Sequence, residues 1–295
     1  MHWKIGVDGG GTKTECILVD PSGAIAARHT GLGCSPSLVG SARAREIASE
    51  ALEAVQAGHP EAEVSATLLC MAGSRGFWSE FGAELIGLGR VTTVDDSIPV
   101  LELATRGAPG LALHAGTGSF VAARTADGGV HYAGGIGWRF GDEGSGYDLG
   151  RRAIARALLE LQGWAPASGL ATLVREKTGE STAGAVSGYF YGDPDTNHGV
   201  ASLAPEVLRL AAGGDAAAGE VVAASVGQLL ALAVSVTGKL FPGTRPDAFR
   251  AGVSGHILNH PFAFQALSSR APFPLSPITE PPIEGVRLLL ARDAG

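Results

Sequence analysis

Two short glycine-rich segments carry residue types that could hold a phosphate chain. Residues 5–14 read IGVDGGGTKT, and a related pattern, LHAGTGS, returns at residues 113–119. Each has an apolar run, a polar residue and a glycine turn closed by a hydroxyl residue, so backbone N–H groups can approach phosphate oxygens without an intervening Cβ. Asp8, at the tip of the first predicted strand, could hold Mg²⁺ through water, because Mg²⁺ gives up its hydration reluctantly. The predicted phosphate-binding residues are Gly9, Gly10, Gly11, Thr12, Lys13, Gly116, Thr117, Gly118 and Ser119.

We name residues 9–13 loop 1 and residues 116–119 loop 2. Either loop alone is equally compatible with an ordinary β-hairpin that has a glycine turn. Two such loops in matched contexts favour the layout of a nucleotide-driven kinase or ATPase. Other nucleotide motifs fail on spacing: the Gly-Lys pair at Gly238 is followed by Leu240, and no glycine cluster completes G-x-G-x-x-G.

Two adjacent carboxylates, Asp95 and Asp96, end a predicted strand in the sequence VDDS. Phosphoryl transfer to a hydroxyl needs a carboxylate that accepts the alcohol proton and orients the oxygen in line. We predict that Asp96 is this catalytic base, with Asp95 as the alternative. One of the pair could instead cap a helix that starts near Ser97, since aspartate is a common N-cap.

The segment with the highest glycine density, residues 134–150, reads GGIGWRFGDEGSGYDLG. Such a loop suits the close approach of a polar ligand, with Asp142 and Glu143 bonding sugar hydroxyls or amino groups. The alternative is a glycine-rich connector whose acids cap the helix that begins at Ser145.

The order of predicted elements indicates an α/β fold with an internal duplication. The first half has strands at 4–8, 15–19, 24–28, 64–71 and 90–94 and a helix at 41–57. The second half repeats the opening with strands at 110–114, 120–124 and 130–133. Helices follow at 145–162, 167–177, 181–190, 201–212 and 216–240, then a strand at 247–253, a helix near 257–270, a linker at 272–282 and a final helix at 285–292. We therefore expect one domain over residues 1–107, joined by the helix at about 284–295, and a second over 108–283.

Composition limits the function classes. Of the 295 residues, 45% are apolar and 17% charged, as in globular domains, and the net charge of −7 argues against a nucleic-acid binder. Three widely spaced cysteines without a C-x-x-C pattern predict reduced thiols in a cytoplasmic protein. The 18 uncharged residues between Glu220 and Lys239 contain too many polar groups for a good membrane span, so we predict a buried helix there.

Together these motifs resemble the BadF/BadG/BcrA/BcrD-type branch of the actin–hexokinase–Hsp70 superfamily, and within it the N-acetylglucosamine and glucosamine kinases. GVDGGGTKT and HAGTGS are similar to the two phosphate motifs, VDDS to the catalytic segment, and residues 134–154 to the sugar-site signature. AGVSGHI at residues 251–257 is similar to the adenosine motif, and PPIEGVRLLLAR to the C-terminal helix.

The resemblance implies two RNase H-like domains of the actin-like ATPase type that close across an interdomain cleft on a sugar and MgATP. The acceptor would be the 6-hydroxyl of an aminosugar. The expected partners are this small substrate and, as an alternative to a monomer, a second copy in a homodimer, without nucleic acid or membrane. The resemblance places the adenosine at Gly252, Val253 and Ser254, and the sugar at Ser35, Gly73, Asp96, Gly135, Gly137, Asp142 and Glu143.

The adenosine motif begins with Ala251 rather than glycine, and two further departures from the family pattern lie in the expected sugar pocket. Ser35-Pro36 stand where animal N-acetylglucosamine kinases have a sugar-binding asparagine, and Ala72 replaces the serine of the SGG loop. Both changes touch the expected sugar pocket, so N-acetylglucosamine and free glucosamine both stay open as substrates.

Two other functions share the family's fold. An ATPase activator of 2-hydroxyacyl-CoA dehydratases needs cysteines placed to hold a [4Fe–4S] cluster across a dimer, and Cys16, Cys34 and Cys70 offer no such set. A non-catalytic sugar sensor is disfavoured by the presence of Asp8, Asp96 and both loops.

Overall fold

The computed structural model of the chain describes residues 2–192, 195–245 and 248–292. The chain folds into two compact units: one runs to Arg106 and resumes at Glu280, and the other runs from Gly107 to Thr279. The elements in chain order are β1 (Trp3–Gly9), β2 (Lys13–Val19), β3 (Ile25–Leu32), α1 (Pro36–Val39), α2 (Ser41–Gln56), β4 (Val64–Met71), α3 (Arg75–Glu84), β5 (Arg90–Asp95), α4 (Ser97–Thr105), β6 (Gly110–Ala115), β7 (Ser119–Arg124), β8 (Val130–Gly134), α5 (Gly146–Leu161), α6 (Gly169–Thr178), α7 (Ala183–Gly192), α8 (Thr196–Ala201), α9 (Ala204–Ala212), α10 (Ala216–Leu240), β9 (Arg250–Ser254), α11 (Pro261–Ser268), β10 (Ser276–Pro277) and α12 (Pro282–Arg292).

The first unit is built on a mixed sheet with strand order β3-β2-β1-β4-β5. β1, β2 and β3 are antiparallel neighbours, whereas β1, β4 and β5 run parallel. Parallel strands end at the same edge of a sheet, and here Gly9 pairs with Met71, which pairs with Asp95. The register therefore brings the start of loop 1 and the segment that carries Asp96 to one edge.

Helices cover both faces of this sheet. On one face, Ile47, Ala51 and Val55 of α2 pack with Ile5 and Val7 in the core. On the other face, α12 packs through the apolar side chains Ile283, Val286 and Leu290 against Ile17, Val19 and Cys70.

The second unit repeats the first in topology. Its sheet has the order β10-β9-β6-β7-β8, with β6, β7 and β8 antiparallel neighbours and β6, β9 and β10 parallel. Each strand takes the position of its counterpart in the first sheet. The predicted α/β fold class and the internal duplication are confirmed.

Helix α10 is long and apolar enough to cross a membrane by length and composition alone, and 33% of its most apolar window is buried within the protein. Its buried residues, among them Val222, Val226 and Leu229, belong to the core of the second unit. Other positions, such as Val234, are exposed. The prediction of a helix here is confirmed, but it is buried on one face only.

Several element boundaries differ from the predicted ones. Helix α3 was missed because RGFWSEFGAE has two glycines and two phenylalanines; burial of Trp78 and Phe81 stabilises it. The helix predicted near 257–270 covers only Pro261–Ser268, since proline fits the first helical turn. The predicted strand at 247–253 is described as Arg250–Ser254, and Asp247 lies outside the described residues.

Candidate functional site

Loop 1 is the hairpin between β1 and β2. The Gly10 N–H donates to the Lys13 carbonyl (3.0 Å), which leaves Gly11 and Thr12 exposed at the tip. Among the described residues, the N–H groups of Gly11 and Thr12 donate to no backbone carbonyl. A Cβ at Gly9 would lie 2.6 Å from the end of the Met71 side chain, so glycine is needed for close packing here. The loop thus presents backbone donors that an anion could accept.

The segment after β3 packs directly on loop 1. The Cys34 N–H donates to the Gly10 carbonyl (3.0 Å), and a Cβ at Gly33 would lie 2.1 Å from the Gly11 carbonyl oxygen. This contact places Ser35, which is buried, beside the loop.

The end of β4 reaches the same place. The Ala72 N–H donates to the Gly9 carbonyl (2.8 Å). Gly73 follows with φ +102°, and a Cβ on it would lie 3.2 Å from the Pro36 ring. The structure thus brings the predicted sugar-site residues Ser35 and Gly73 together with loop 1.

Asp8 and Asp96 form an electrostatically coupled pair of carboxylates at this edge. Burial, then the charges of Asp96 and Glu15, raise the pKa of Asp8 to about 7, and Lys13 opposes this shift. Burial, then the charge of Asp95, raises the pKa of Asp96 to about 6. The site therefore has more negative charge than its own cations offset, and it would favour a bound cation.

The two adjacent aspartates differ in their surroundings. Asp96 is the N-cap residue of α4, yet its side chain makes no capping hydrogen bond. Asp95 is 44% exposed and lies 3.5 Å from the Arg75 guanidinium. Asp95 is thus paired with Arg75 near the surface, although its charge also acts on Asp96, whereas Asp96 is coupled to the buried Asp8.

No group of three or more His, Cys, Asp or Glu side chains with metal-ligand geometry occurs in the described ranges. Asp8 and Asp96 are two carboxylates, and Mg²⁺ held by only two carboxylates keeps several waters among its ligands.

Loop 2 joins β6 to β7 in the second unit and is held by its neighbours. The Gly116 N–H donates to the Gly118 carbonyl (2.8 Å), and the Gly116 carbonyl accepts from the Gly146 N–H at the start of α5 (2.8 Å). The Ser119 hydroxyl donates to the Glu143 carbonyl (2.6 Å). Within the described part of the chain, Thr117 and Gly118 donate no backbone hydrogen bond, so loop 2 also offers free donors.

Asp142 lies against loop 2 with a strained backbone and an unpaired buried carboxylate oxygen. Its carboxylate Oδ2 is 3.2 Å from the position of a Cβ on Gly118, and its backbone has φ 62°. The residue is 8% exposed, and Oδ1 has no hydrogen-bond partner in the described structure. Burial raises the pKa of Asp142. Backbone N–H groups oppose this shift, and the Glu143 charge adds to it. Left-handed backbone and an orphaned buried oxygen together are typical of ligand-binding positions.

Asp148, which the sequence analysis did not single out, anchors the glycine-rich segment. Arg152 contacts both carboxylate oxygens (2.8 and 2.9 Å), and the Ser225 hydroxyl donates to Oδ2 (2.7 Å). The Gly144 N–H also donates to it (3.3 Å). Burial would raise the pKa of Asp148, but these hydrogen bonds hold it below its usual range. The i, i+4 spacing of Asp148 and Arg152 was the available signal.

The predicted adenosine residues Gly252, Val253 and Ser254 lie in β9, paired with β6, and are buried. The Ser254 hydroxyl is 3.0 Å from Nδ1 of His114. The loop beyond the strand reaches loop 2: Nδ1 of His256 is 3.6 Å from the position of a Cβ on Gly116. His256 was not predicted as a site residue.

The first unit thus brings loop 1, Asp8, Ser35, Gly73 and Asp96 together, and the second brings loop 2 together with Asp142 and Glu143. Two predicted sugar-site glycines stand earlier in the glycine-rich segment that carries Asp142. Gly135 lies beside the Tyr132 hydroxyl, and Gly137 has no side chain or backbone within 4 Å of a Cβ position.

Comparison with known proteins finds sugar kinases. The chain is 28% identical over 254 residues to the N-acetyl-D-glucosamine kinase of Dictyostelium discoideum, a match covering 80% of this chain and 79% of that protein. It is 29% identical over 168 residues to the N-acetylmuramic acid/N-acetylglucosamine kinase of Clostridium acetobutylicum, where the match spans about half of each protein (54% and 54%).

A solved structure is similar over its full length. It is a protein from Chromobacterium violaceum provisionally named an N-acetylglucosamine kinase, with a TM-score of 0.78, 30% identity and coverage of 98% of this chain and 99% of that one. Residues 5–252 match the BadF/BadG/BcrA/BcrD ATPase family. The chain belongs to this ATPase family, as its loops and duplicated fold indicate.

Proposed function

We propose that this protein is an ATP-dependent kinase that phosphorylates the 6-hydroxyl of an aminosugar, N-acetylglucosamine or glucosamine. Membership of an ATPase family supports the use of ATP. The two kinases from Dictyostelium and Clostridium and the Chromobacterium structure support a hexosamine as acceptor.

The observation that carries the proposal is the state of Asp96 in the first unit. Its carboxylate follows β5, is coupled to Asp8 beside loop 1, and has a pKa raised to about 6. A general base works best when its pKa lies near the operating pH, because it is then ionised yet basic enough to take a proton. We assign Asp96 the removal of the proton from the attacking hydroxyl, and Asp95 stays outside the reaction.

Asp8 is the residue we assign to Mg²⁺, held through water. The fit rests on the surroundings of Asp8: burial, then the charges of Asp96 and Glu15, raise its pKa to about 7, and a dication would offset the cost of the ionised carboxylate. When bound, Mg²⁺ would neutralise charge on the β- and γ-phosphate oxygens. The backbone N–H groups of Gly11 and Thr12, with the Lys13 ammonium, would orient the phosphates, whereas Gly9 and Gly10 would shape the loop.

In the second unit we assign phosphate binding to Gly116, Thr117, Gly118 and Ser119. The orphaned Oδ1 of Asp142 would accept a hydrogen bond from a sugar hydroxyl, because a ligand donor would satisfy a buried acceptor that has no donor among the described residues. Glu143 and Gly137 would flank the same ligand, and the adenosine would lie near Ser254. In the first unit we assign sugar contacts to Ser35 and Gly73.

A substrate panel tests the activity. ADP release is measured with glucosamine, N-acetylglucosamine, N-acetylmannosamine, N-acetylmuramate and glucose. We expect the highest kcat/KM with one of the first two sugars, and product analysis should give the 6-phosphate. Equal, sugar-independent ATP hydrolysis across the panel would contradict the proposed function.

A substitution tests the base. Asp96→Asn should keep the affinities for sugar and ATP but lower kcat by roughly 10²–10⁴-fold, the usual range for a lost general base. Asp95→Asn is the matched control, and it should stay within about tenfold of the parent since Asp95 pairs with Arg75 at the surface. Turnover of Asp96→Asn within tenfold of the parent would move the role to another residue.

A further inference from the structure

A chain of ion pairs lies beside loop 1, centred on the buried carboxylate of Glu15. Glu15 is 5% exposed, and its carboxylate forms an ion pair with the Lys13 ammonium. A second cation, the Arg28 guanidinium, lies 3.8 Å from its other oxygen. Arg28 is in turn paired with Glu284 of α12 (2.8 Å), so the chain continues into the C-terminal helix.

Glu15 stands directly across from Asp8 in the sheet. The register pairs Asp8 of β1 with Glu15 of β2, so the two side chains lie on the same face. Like charges directly opposite each other are destabilising, and burial adds to that cost. The Glu15 carboxylate therefore destabilises the ionised form of Asp8. The stability of the fold does not explain why a carboxylate stands at this position.

Lys13 lies between the two acids. Residues two apart on a strand share a face, so Lys13 projects to the same side as Glu15 and Asp8. Glu15 faces Asp8 across the strand pair, so all three charged groups stand on one face of the sheet. The contact of Lys13, however, is with Glu15. The Lys13 ammonium thus stands on one face of the sheet with the carboxylates of Asp8 and Glu15. It pairs with Glu15, which Arg28 also contacts.

We propose that Glu15 is a positioning residue of the nucleotide site, which holds the Lys13 ammonium away from Asp8 and keeps that carboxylate open to the divalent cation. The inference rests on the proposed function and adds a residue to it. Without the Glu15 charge, Lys13 would pair with Asp8 and compete with the metal.

The test measures metal binding directly. Mn²⁺ serves as the probe, and free Mn²⁺ is followed by electron paramagnetic resonance while it is titrated into the protein with saturating ADP. Glu15→Gln should raise the Mn²⁺ dissociation constant about tenfold, the lower end of the loss expected when a residue that supports a metal ligand is removed. In the Lys13→Met background the same substitution should change it by less than about twofold, because the competing ammonium is absent.

Two further variants make the result specific. Arg28→Gln keeps the Lys13–Glu15 pair and is the matched control, so its Mn²⁺ affinity should equal that of the parent. Glu15→Asp keeps the charge but draws it back from Lys13 by one methylene, and it should weaken Mn²⁺ binding less than Glu15→Gln. This variant decides the question if Glu15→Gln does not fold.

The outcomes separate this inference from the proposed function. A parent protein that binds neither ADP nor Mn²⁺–ADP overturns both. A parent that binds Mn²⁺–ADP, with Glu15→Gln binding it equally well, overturns the role of Glu15 alone. An equal loss with and without Lys13 overturns it too, since Glu15 would then act on the metal without the ammonium.

Discussion

Asp8 should make the free protein less stable at neutral pH, and its removal should reveal this. The pKa of its carboxyl rises from the usual 3.8 to about 7 on folding, through burial and the charges of Asp96 and Glu15. A group whose pKa is raised in the folded state binds its proton more tightly there, so stability is greatest at low pH. This contribution to stability is lost as pH rises through about 7.

The size of the effect follows from the difference in pKa. At about pH 8 the carboxyl is ionised in both the folded and the unfolded state. Folding then carries the cost of the full difference between the two pKa values, roughly three units or about 4 kcal/mol. At about pH 5 it is protonated in the folded state, and only about 1.6 kcal/mol of that cost remains. The effect of Asp8→Asn on the free energy of unfolding should therefore be more favourable by about 3 kcal/mol at the higher pH than at the lower. The cost of the amide itself is the same at both pH values and cancels in this difference.

Urea denaturation of the nucleotide-free protein at both pH values measures this, with hydrogen exchange of β1 and β4 peptides as the readout for the first unit. The matched control is Asp20→Asn, at an exposed turn where hydrogen bonds from Ser22 lower the pKa of the carboxyl, so the change between the two pH values should be absent. An effect of Asp8→Asn on the free energy of unfolding that is equal at both pH values would refute the reasoning.

Three more outcomes are expected. The kcat/KM for the sugar should fall as pH drops below about 6, because Asp96 becomes protonated; a rate that is flat from pH 8 to pH 5 would contradict this. Asp148→Asn should lower stability by about 2 kcal/mol, since it removes the buried carboxylate that pairs with Arg151 and Arg152, and should raise the sugar KM; an unchanged urea midpoint would count against it. Gly33→Ala should weaken ADP binding, because its Cβ would meet the Gly11 carbonyl at 2.1 Å, whereas Gly58→Ala, with open space around it, should not; calorimetry compares the two.

Local patterns predicted much of the fold. β4 matches its prediction at both ends, and α10 was predicted with its observed bounds, because apolar β-branched runs and long apolar helices are readable within one segment. Helix α3 could not be read in this way, since its glycines and aromatic residues form a helix only when Trp78 and Phe81 are buried by residues distant in sequence. Pairing in β10 likewise depends on β9, which lies more than twenty residues earlier.

The sequence alone determined the two glycine-rich loops, the aspartate pair and the duplicated order of strands, because each is a property of neighbouring residues. Only the tertiary structure decided which aspartate is coupled to Asp8, that Asp142 rests against loop 2, and that Glu15 holds Lys13. These facts depend on strand register, burial and charge at short range between distant residues. Spacing in a sequence records none of those quantities, whereas a packed sheet sets all of them.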